Sequence, residues 1–325
     1  MPETTPMMSA QHTPTTATAT TTTTTTGTAL EIARALNTPG RAAVLRRDRS
    51  VAAFWADHRQ LLRDAWADWD SARHVELDDS VIIDPALRGA VASAWGDPTT
   101  ESAVRNLVHE AAPGVFSFQF FDPDRIATLR TYLGDVWDAG VPLRPPYGIV
   151  LNRQGAMLDL RSDGSLAAPS FQRFYRLVID SYMRPIARLL FPDIVGYDSQ
   201  SFGFSIHYRP DTDTSIRPHT DASTVTLNIN ANLPGEEFTG STVDFLDPAT
   251  GDVTALSFEP GTAMIHRGNV PHTAQPITSG ERTNLVLWLN GSSGSVPPQQ
   301  LVDQPASAHE RWTQSHEAQD SWAPF

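Results

Sequence analysis

The chain has 325 residues, 40% of them hydrophobic, enough for one or two domains with a sizeable core. It contains no cysteine, which excludes a disulfide-stapled fold and any thiolate metal site, and its formal charge of −13 disfavours nucleic acid as a partner. No stretch of about 18 apolar residues occurs, so no membrane span is expected.

Residues 1–27 form a Thr-rich, low-complexity tract with too little apolar surface to offset its ordering entropy, and a disordered tail is expected there. The tract lacks the charged and apolar regions of a secretory signal, which predicts a cytoplasmic protein. All 24 basic residues are Arg, a composition that, with the Ala and Thr load, suggests a GC-rich bacterial genome. Residues 28–112 read as a helical segment. Ser50 is placed to cap a helix whose stripe runs through Val51, Phe54, His58, Leu61, Leu62, Ala65 and Trp69 and needs a partner surface.

The pattern changes at Pro113. Gly114 to Phe121 reads as a strand, and Asp122-Pro123 supplies an N-cap followed by Pro in a first helical turn. Ile126, Leu129, Leu133, Val136 and Trp137 would line that helix. A second helix is expected near Ser170, with Phe171, Phe174, Val178 and Leu189 at helical spacing and a kink at Pro185. Both helices are expected on the outside of a sheet. Beyond residue 292 the chain is turn-rich, and Trp312 and Trp322 alone suggest docking.

Ser201 to Asn290 is the β-rich part. Val225, Leu227 and Ile229 alternate with Thr224, Thr226, Asn228 and Asn230, the pattern of a two-faced strand. Pro260-Gly261 is a turn before a strand from Ala263 to His266, and Thr283 to Leu289 is an apolar strand. His219 and Asp221 stand two positions apart, a spacing that in a strand aims both side chains to one face. His272 follows Asp221 by 51 residues, room for strands to return a third ligand. Two imidazoles and one carboxylate on one face suit a non-haem Fe(II) site with open positions. Arg282, ten residues beyond His272, can grip a carboxylate in bidentate fashion. His266 is the rival ligand and is expected to sit beside the metal instead.

The run Tyr208-x-Pro210, Ser215, Pro218-His219-x-Asp221-Ala222-Ser223-Thr224-x-Thr226-x-Asn228 resembles the catalytic domain of procollagen lysyl hydroxylases. His266-Arg267-Gly268 through His272, then Pro276 to Leu285, is similar to the closing segment of prolyl and lysyl hydroxylase-like 2-oxoglutarate oxygenases. The resemblance covers roughly Pro113 to Gly291. It implies an α+β fold, a double-stranded β-helix (jelly-roll, cupin-like) barrel over residues 113–292, with flanking helices and with residues 293–325 as an extension. It further implies Fe(II) held by His219, Asp221 and His272, with 2-oxoglutarate and O2 as co-substrates. Arg282 would take the distal carboxylate of 2-oxoglutarate, and Asn228 and Tyr208 would add hydrogen bonds to it.

One departure stands at Phe238-Thr239-Gly240-Ser241, where relatives often have Phe-x-Gly-Gly; it is expected to affect a turn only. Hydroxylation of an unactivated C–H bond is the default outcome, with desaturation or ring closure as variants of the same chemistry. No secretory signal or accessory domain accompanies the motif. The expected substrate is therefore small, a free or carrier-bound amino acid in bacterial specialised metabolism, enclosed by the helices before Pro113. Arg217, Arg209 and Asn152 are candidates to meet it. A protein lysyl or prolyl hydroxylase is the alternative, and a non-catalytic small-molecule-binding barrel a remote one.

Overall fold

A computed structural model of the chain describes residues 27–73, 77–146, 155–211, 215–291 and 306–313. Its strands, in chain order, are β1 (His109–Ala112), β2 (Val115–Gln119), β3 (Gln200–Tyr208), β4 (Ile216–His219), β5 (Val225–Asn230) and β6 (Thr239–Gly240). They continue with β7 (Val243–Leu246), β8 (Val253–Leu256), β9 (Thr262–Arg267), β10 (His272–Ala274), β11 (Ile277–Ser279) and β12 (Arg282–Asn290). A large antiparallel sheet runs β1-β2-β9-β5-β12-β3, and a smaller one runs β4-β10-β7-β8. Together they form the double-stranded β-helix, with β6 and β11 as a separate two-stranded ribbon.

The period-two pattern of β5 explains the layering. Val225, Leu227 and Ile229 point outward into the main apolar core, while Thr226 and Asn228 point into the barrel. β12 repeats the division, with Leu285, Leu287 and Leu289 outward and Val286 and Trp288 inward. Because helices cover the outer face, both faces of these strands are largely buried.

The N-terminal helices are α1 (Ala29–Arg34), α2 (Arg41–Arg46), α3 (Arg49–Asp57), α4 (Arg59–Ser71), α5 (Asp79–Ile82), α6 (Pro85–Gly96) and α7 (Ser102–Arg105). They are followed by α8 (Ala127–Asp138), α9 (Pro169–Leu177), α10 (Arg184–Leu190) and α11 (Ala308–Arg311). Val51, Leu62, Ala65 and Trp69 share one core with α8, α9 and the outer residues of β5 and β12. The buried Asp70 ties these layers together, accepting from Tyr132 Oη at 3.1 Å and from the Ser170 N–H and Oγ, each at 2.8 Å. That placement supplies the carboxylate with donors, without which its burial would be costly.

Several local expectations are corrected. The stripe from Val51 to Trp69 is split into two helices at His58, whose N–H and Nδ1 both reach the Phe54 carbonyl, at 3.2 Å and 2.7 Å. Asp48, not Ser50, precedes α3, and its carboxylate is engaged by Arg46 rather than by the helix. The helical segment ends in strand β1, a hairpin partner of β2. Asp122-Pro123 opens a turn and α8 starts four residues later, at Ala127; Trp137 on that helix is 40% exposed. Ahead of Pro185 the helix widens into a π-turn over Val178–Met183. The Ser181 carbonyl, which Pro185 cannot serve, instead accepts from Trp95 Nε1 at 2.9 Å.

Trp312 does dock. It is buried edge-on against Trp95 and donates from Nε1 to Glu101 at 2.9 Å, while Arg188 donates to the Thr313 carbonyl at 2.9 Å. Trp322 and residues 1–26 lie outside the described residues. No helix among the described residues is long and apolar enough to cross a membrane.

Candidate metal centre

His219 closes β4 and His272 opens β10, and the two are register partners. Their rings stand 4.4 Å apart. Asp221 arrives differently from the period-two expectation. It lies past the end of β4, where its N–H donates to the Gly268 carbonyl at 2.8 Å, so a turn and not a strand pleat aims the carboxylate. Gly268 is required for this approach, because a Cβ there would collide with the Ser223 carbonyl.

One ligand atom from each of His219, Asp221 and His272 falls within 4.8 Å of the others. Asp221 Oδ1 lies 3.5 Å from His219 Nε2, and its Oδ2 lies 3.9 Å from His272 Nε2. Both imidazoles turn Nδ1 toward a backbone carbonyl, Arg217 at 2.7 Å and Val270 at 3.0 Å. Those bonds place the proton on Nδ1 and leave the Nε2 lone pairs for a metal. The hydroxyl of Thr226 donates to Asp221 Oδ2 at 2.6 Å and itself pairs with Ser223 Oγ at 2.8 Å.

The electrostatics agree with a cation site. Burial would raise the Asp221 carboxyl, but the His219 hydrogen bond, the neighbouring imidazoles and Thr226 outweigh it and hold Asp221 at about 2. Burial lowers His272, with the charge of His219 adding to it, so the ring is held in the neutral form a metal needs. For His219, burial is overcome by the hydrogen bond and charge of Asp221, and its pKa is raised. His266 is also buried, its ring 4.8 Å from that of His272 and its Nδ1 on the Arg267 carbonyl at 2.8 Å. Burial and His272 push it down to about 4. It lines the cavity but is not part of the three-residue cluster.

The cavity runs from the cluster into the barrel, with an empty volume of about 520 Å³ counting the mouth open to solvent. Arg282, Tyr208 and Asn228 line it together with the metal-capable residues, beside apolar Ile206, Met264 and Val286. The Arg282 side chain is fully buried. Its Nη1 donates to the Ser241 carbonyl at 2.6 Å, its guanidinium lies 4.4 Å from the Tyr208 ring centroid, and burial lowers its pKa. Among the described residues, its Nε has no hydrogen-bond partner. A buried guanidinium without a carboxylate is costly, so this arrangement suits an anionic ligand brought from outside. The donor set of two imidazoles and one carboxylate likewise suits Fe(II).

The departure at Ser241 is not confined to a turn, as the sequence suggested. Ser241 is fully buried with φ of 56°, and its carbonyl orients Arg282. Arg209 pairs with Asp211 and Glu281, Arg217 is exposed, and neither lines the cavity. Asn152 lies outside the described residues. Among the described residues, the lining extends from Phe204 to Val286, and no residue before Pro113 contributes. The N-terminal helices therefore back the large sheet and do not enclose the cavity. An amphipathic stripe announces that a helix must pack, but not on which face of a sheet. Thr226 is the site residue whose part sequence reasoning missed; its place two residues before Asn228 on the same strand face was the available signal.

Comparison with known proteins agrees with this geometry. Residues 197–291 match the family model described as the 2OG-Fe(II) oxygenase superfamily. A 2-oxoglutarate and iron-dependent oxygenase domain-containing protein of Arabidopsis thaliana is 29% identical over 232 residues, 67% of this chain and 54% of that protein. A protein of the same description from Xenopus tropicalis is 31% identical over 66% of this chain and 60% of its own length. The chain thus spans little more than half the length of these curated relatives. A multifunctional procollagen lysine hydroxylase and glycosyltransferase of Rattus norvegicus is 33% identical over 35% of this chain and 15% of that protein. Among solved structures, a Pseudomonas putida prolyl-4-hydroxylase is similar at 18% identity with a TM-score of 0.41, covering 62% of this chain and 98% of that one. The matched family model, the relatives' shared domain and the His-Asp-His cluster lead to one conclusion: residues 197–291 match the 2OG-Fe(II) oxygenase superfamily.

Proposed function

We propose that this chain is an Fe(II)- and 2-oxoglutarate-dependent dioxygenase that hydroxylates an unactivated aliphatic C–H bond. The observation that carries the reading is one cavity with a cation-binding end and an anion-binding end: His219, Asp221 and His272 at one, the buried Arg282 with its unpartnered Nε at the other. When bound, iron and 2-oxoglutarate supply O2 activation coupled to oxidative decarboxylation to succinate and CO2. The chain's own part is to hold and orient. His219, Asp221 and His272 would hold the metal on one face, leaving the remaining positions open. Arg282 would fix the distal carboxylate, Tyr208 would pack on the guanidinium, and Asn228 would add a hydrogen bond. The apolar wall of Ile206, Met264 and Val286 keeps water from the buried part of the cavity.

Amino-acid chemistry is the proposed substrate class, a free or carrier-bound amino acid in bacterial specialised metabolism. A second reading, hydroxylation of a Lys or Pro side chain in a peptide, is favoured by a specific observation: the N-terminal helices leave the cavity uncovered, so nothing they do restricts it to small molecules. Succinate release, scored across free amino acids and Lys- or Pro-containing peptides, separates the two. Replacing the guanidinium tests the co-substrate itself. Arg282→Lys keeps the charge and loses the fork, and should raise the KM for 2-oxoglutarate by roughly 10-fold to 100-fold. Unchanged 2-oxoglutarate binding in that variant would make Arg282 a structural residue and remove the main support for this co-substrate.

A further inference from the structure

His266 lies on β9 in register with Thr226, whose hydroxyl holds Asp221, so both side chains stand on the inner face of the large sheet. The imidazole is 2% exposed, edge-on to His272 at 4.8 Å between ring centroids and to Phe245 at 5.2 Å. Its Nδ1 is held on the Arg267 carbonyl at 2.8 Å; a carbonyl only accepts, so Nδ1 carries the proton and Nε2 keeps its lone pair. Among the described residues Nε2 has no hydrogen-bond partner, and it is not sealed in protein either: it opens on the cavity that the ring lines. Packing does not account for an imidazole here. Val115 stands across the ladder, Met264 two residues along the strand and Phe245 against the ring, all apolar, and a phenylalanine would fill the same space without burying an unmet acceptor.

The chemistry of the lone pair narrows what it meets. His266 stands outside the three-residue cluster, so the metal itself is not its partner. The carboxylate and keto oxygens of 2-oxoglutarate are acceptors and would be repelled, and neither O2 nor an aliphatic C–H brings an N–H or O–H. We propose that His266 is a binding residue that accepts, through Nε2, a hydrogen bond from an O–H or N–H donor beside the metal cluster. Two sources can supply that donor: water on the metal, or the substrate, which would then carry an amine, amide or hydroxyl near the carbon that is oxidised. The inference rests on the reading of His219, Asp221 and His272 as the metal site.

Two arms separate the sources, each run on the parent, on His266→Phe, which keeps the volume and removes the acceptor, and on His266→Gln, whose Oε1 restores one. His266→Leu replaces the phenylalanine variant if that does not fold. In the first arm the protein is loaded with Co(II) alone and its visible absorption is recorded. If water is the donor, its weakened hold in His266→Phe lowers the coordination number and intensifies the absorption, while His266→Gln stays close to the parent. In the second arm the Fe(II)- and 2-oxoglutarate-loaded protein is titrated anaerobically with lysine and with norleucine, which differ by the amine alone, and the shift of the charge-transfer absorption is followed. If the substrate is the donor, the parent should bind lysine about threefold to tenfold more tightly than norleucine, and His266→Phe should lose that preference while His266→Gln keeps it. A response to residue 266 in either arm supports the acceptor. A folded acceptor-free variant with the parent's Co(II) spectrum, together with a lysine preference that is absent or independent of residue 266, would overturn it. A parent that takes up no Co(II), or an Asp221→Ala variant that takes it up as the parent does, would overturn the metal-site reading and the inference with it.

Discussion

The two faces of strand β5 are both largely buried and hold opposite chemistry. Leu227 points outward into a core shared with the N-terminal helices, and Thr226 and Asn228, its neighbours in sequence, point inward at Asp221 and the cavity. The outer face is apolar, and its burial stabilises the fold without directional demands. The inner face carries polar groups whose value lies in aim, as Thr226 donates to Asp221 and Asn228 accepts from Asn284. Burial alone therefore does not distinguish structural from functional positions here; hydrogen-bond direction does.

The comparison predicts which changes destroy the fold and which destroy the site. The largest effect belongs to removing the helical segment. Deletion of residues 1–108 removes Leu62, Ala65, Trp66 and Trp69 from the shared apolar core and should yield an insoluble chain, measured as loss of soluble expression. A soluble truncated barrel that still bound Fe(II) would show that the outer face needs no cover. Next comes the metal cluster. Asp221→Ala or His272→Ala should abolish stoichiometric iron and reduce turnover by at least about a thousandfold, or 4 kcal/mol, with the fold retained. His266→Ala should keep its iron; a dead, iron-free His266→Ala beside an active His272→Ala would reassign the third ligand. On the outer face, Leu227→Ala should lower stability by about 2 to 5 kcal/mol, read by denaturant titration, and leave the Fe(II) Kd of the folded protein within about twofold.

Much of this was legible in the chain because the relevant signals are local. The alternation from Thr224 to Asn230 yields both faces of β5, and the short spacing of His219 and Asp221 brings two ligands together whichever backbone shape intervenes. What was not legible depends on partners far away in sequence. Asp221 is aimed by the carbonyl of Gly268, a contact between a turn and a distant glycine that no periodicity encodes. α8 begins late because the residues after Pro123 form a turn before the helix. The side of the sheet taken by α3 and α4 follows from the apolar outer residues of β5 and β12, which a stripe on either helix cannot report. Ser241 looked like a turn variant until its carbonyl was found on Arg282.

The smallest expected effect is also the sharpest, because it changes one atom on the inner face. Thr226→Val keeps the shape and β-propensity of the residue while replacing the hydroxyl that donates to Asp221 Oδ2 at 2.6 Å. Two consequences oppose each other. Asp221 loses a hydrogen bond that orients it and lowers its pKa, which weakens the metal site, and Ser223 Oγ loses its 2.8 Å partner. Yet the carboxylate keeps the backbone anchor from Asp221 N–H to Gly268, so its loop stays in place. Partners behind a metal ligand typically tune affinity about 10-fold to 100-fold, and with the loop anchored the lower end applies. The variant should therefore bind Fe(II) about tenfold more weakly by competition with a chelator, while its unfolding free energy falls by no more than about 1.5 kcal/mol. Leu227→Ala should do the reverse. If Thr226→Val instead lost stability as Leu227→Ala does and kept its iron, the inner face would be a second structural core, and the division between the faces of β5 would fail.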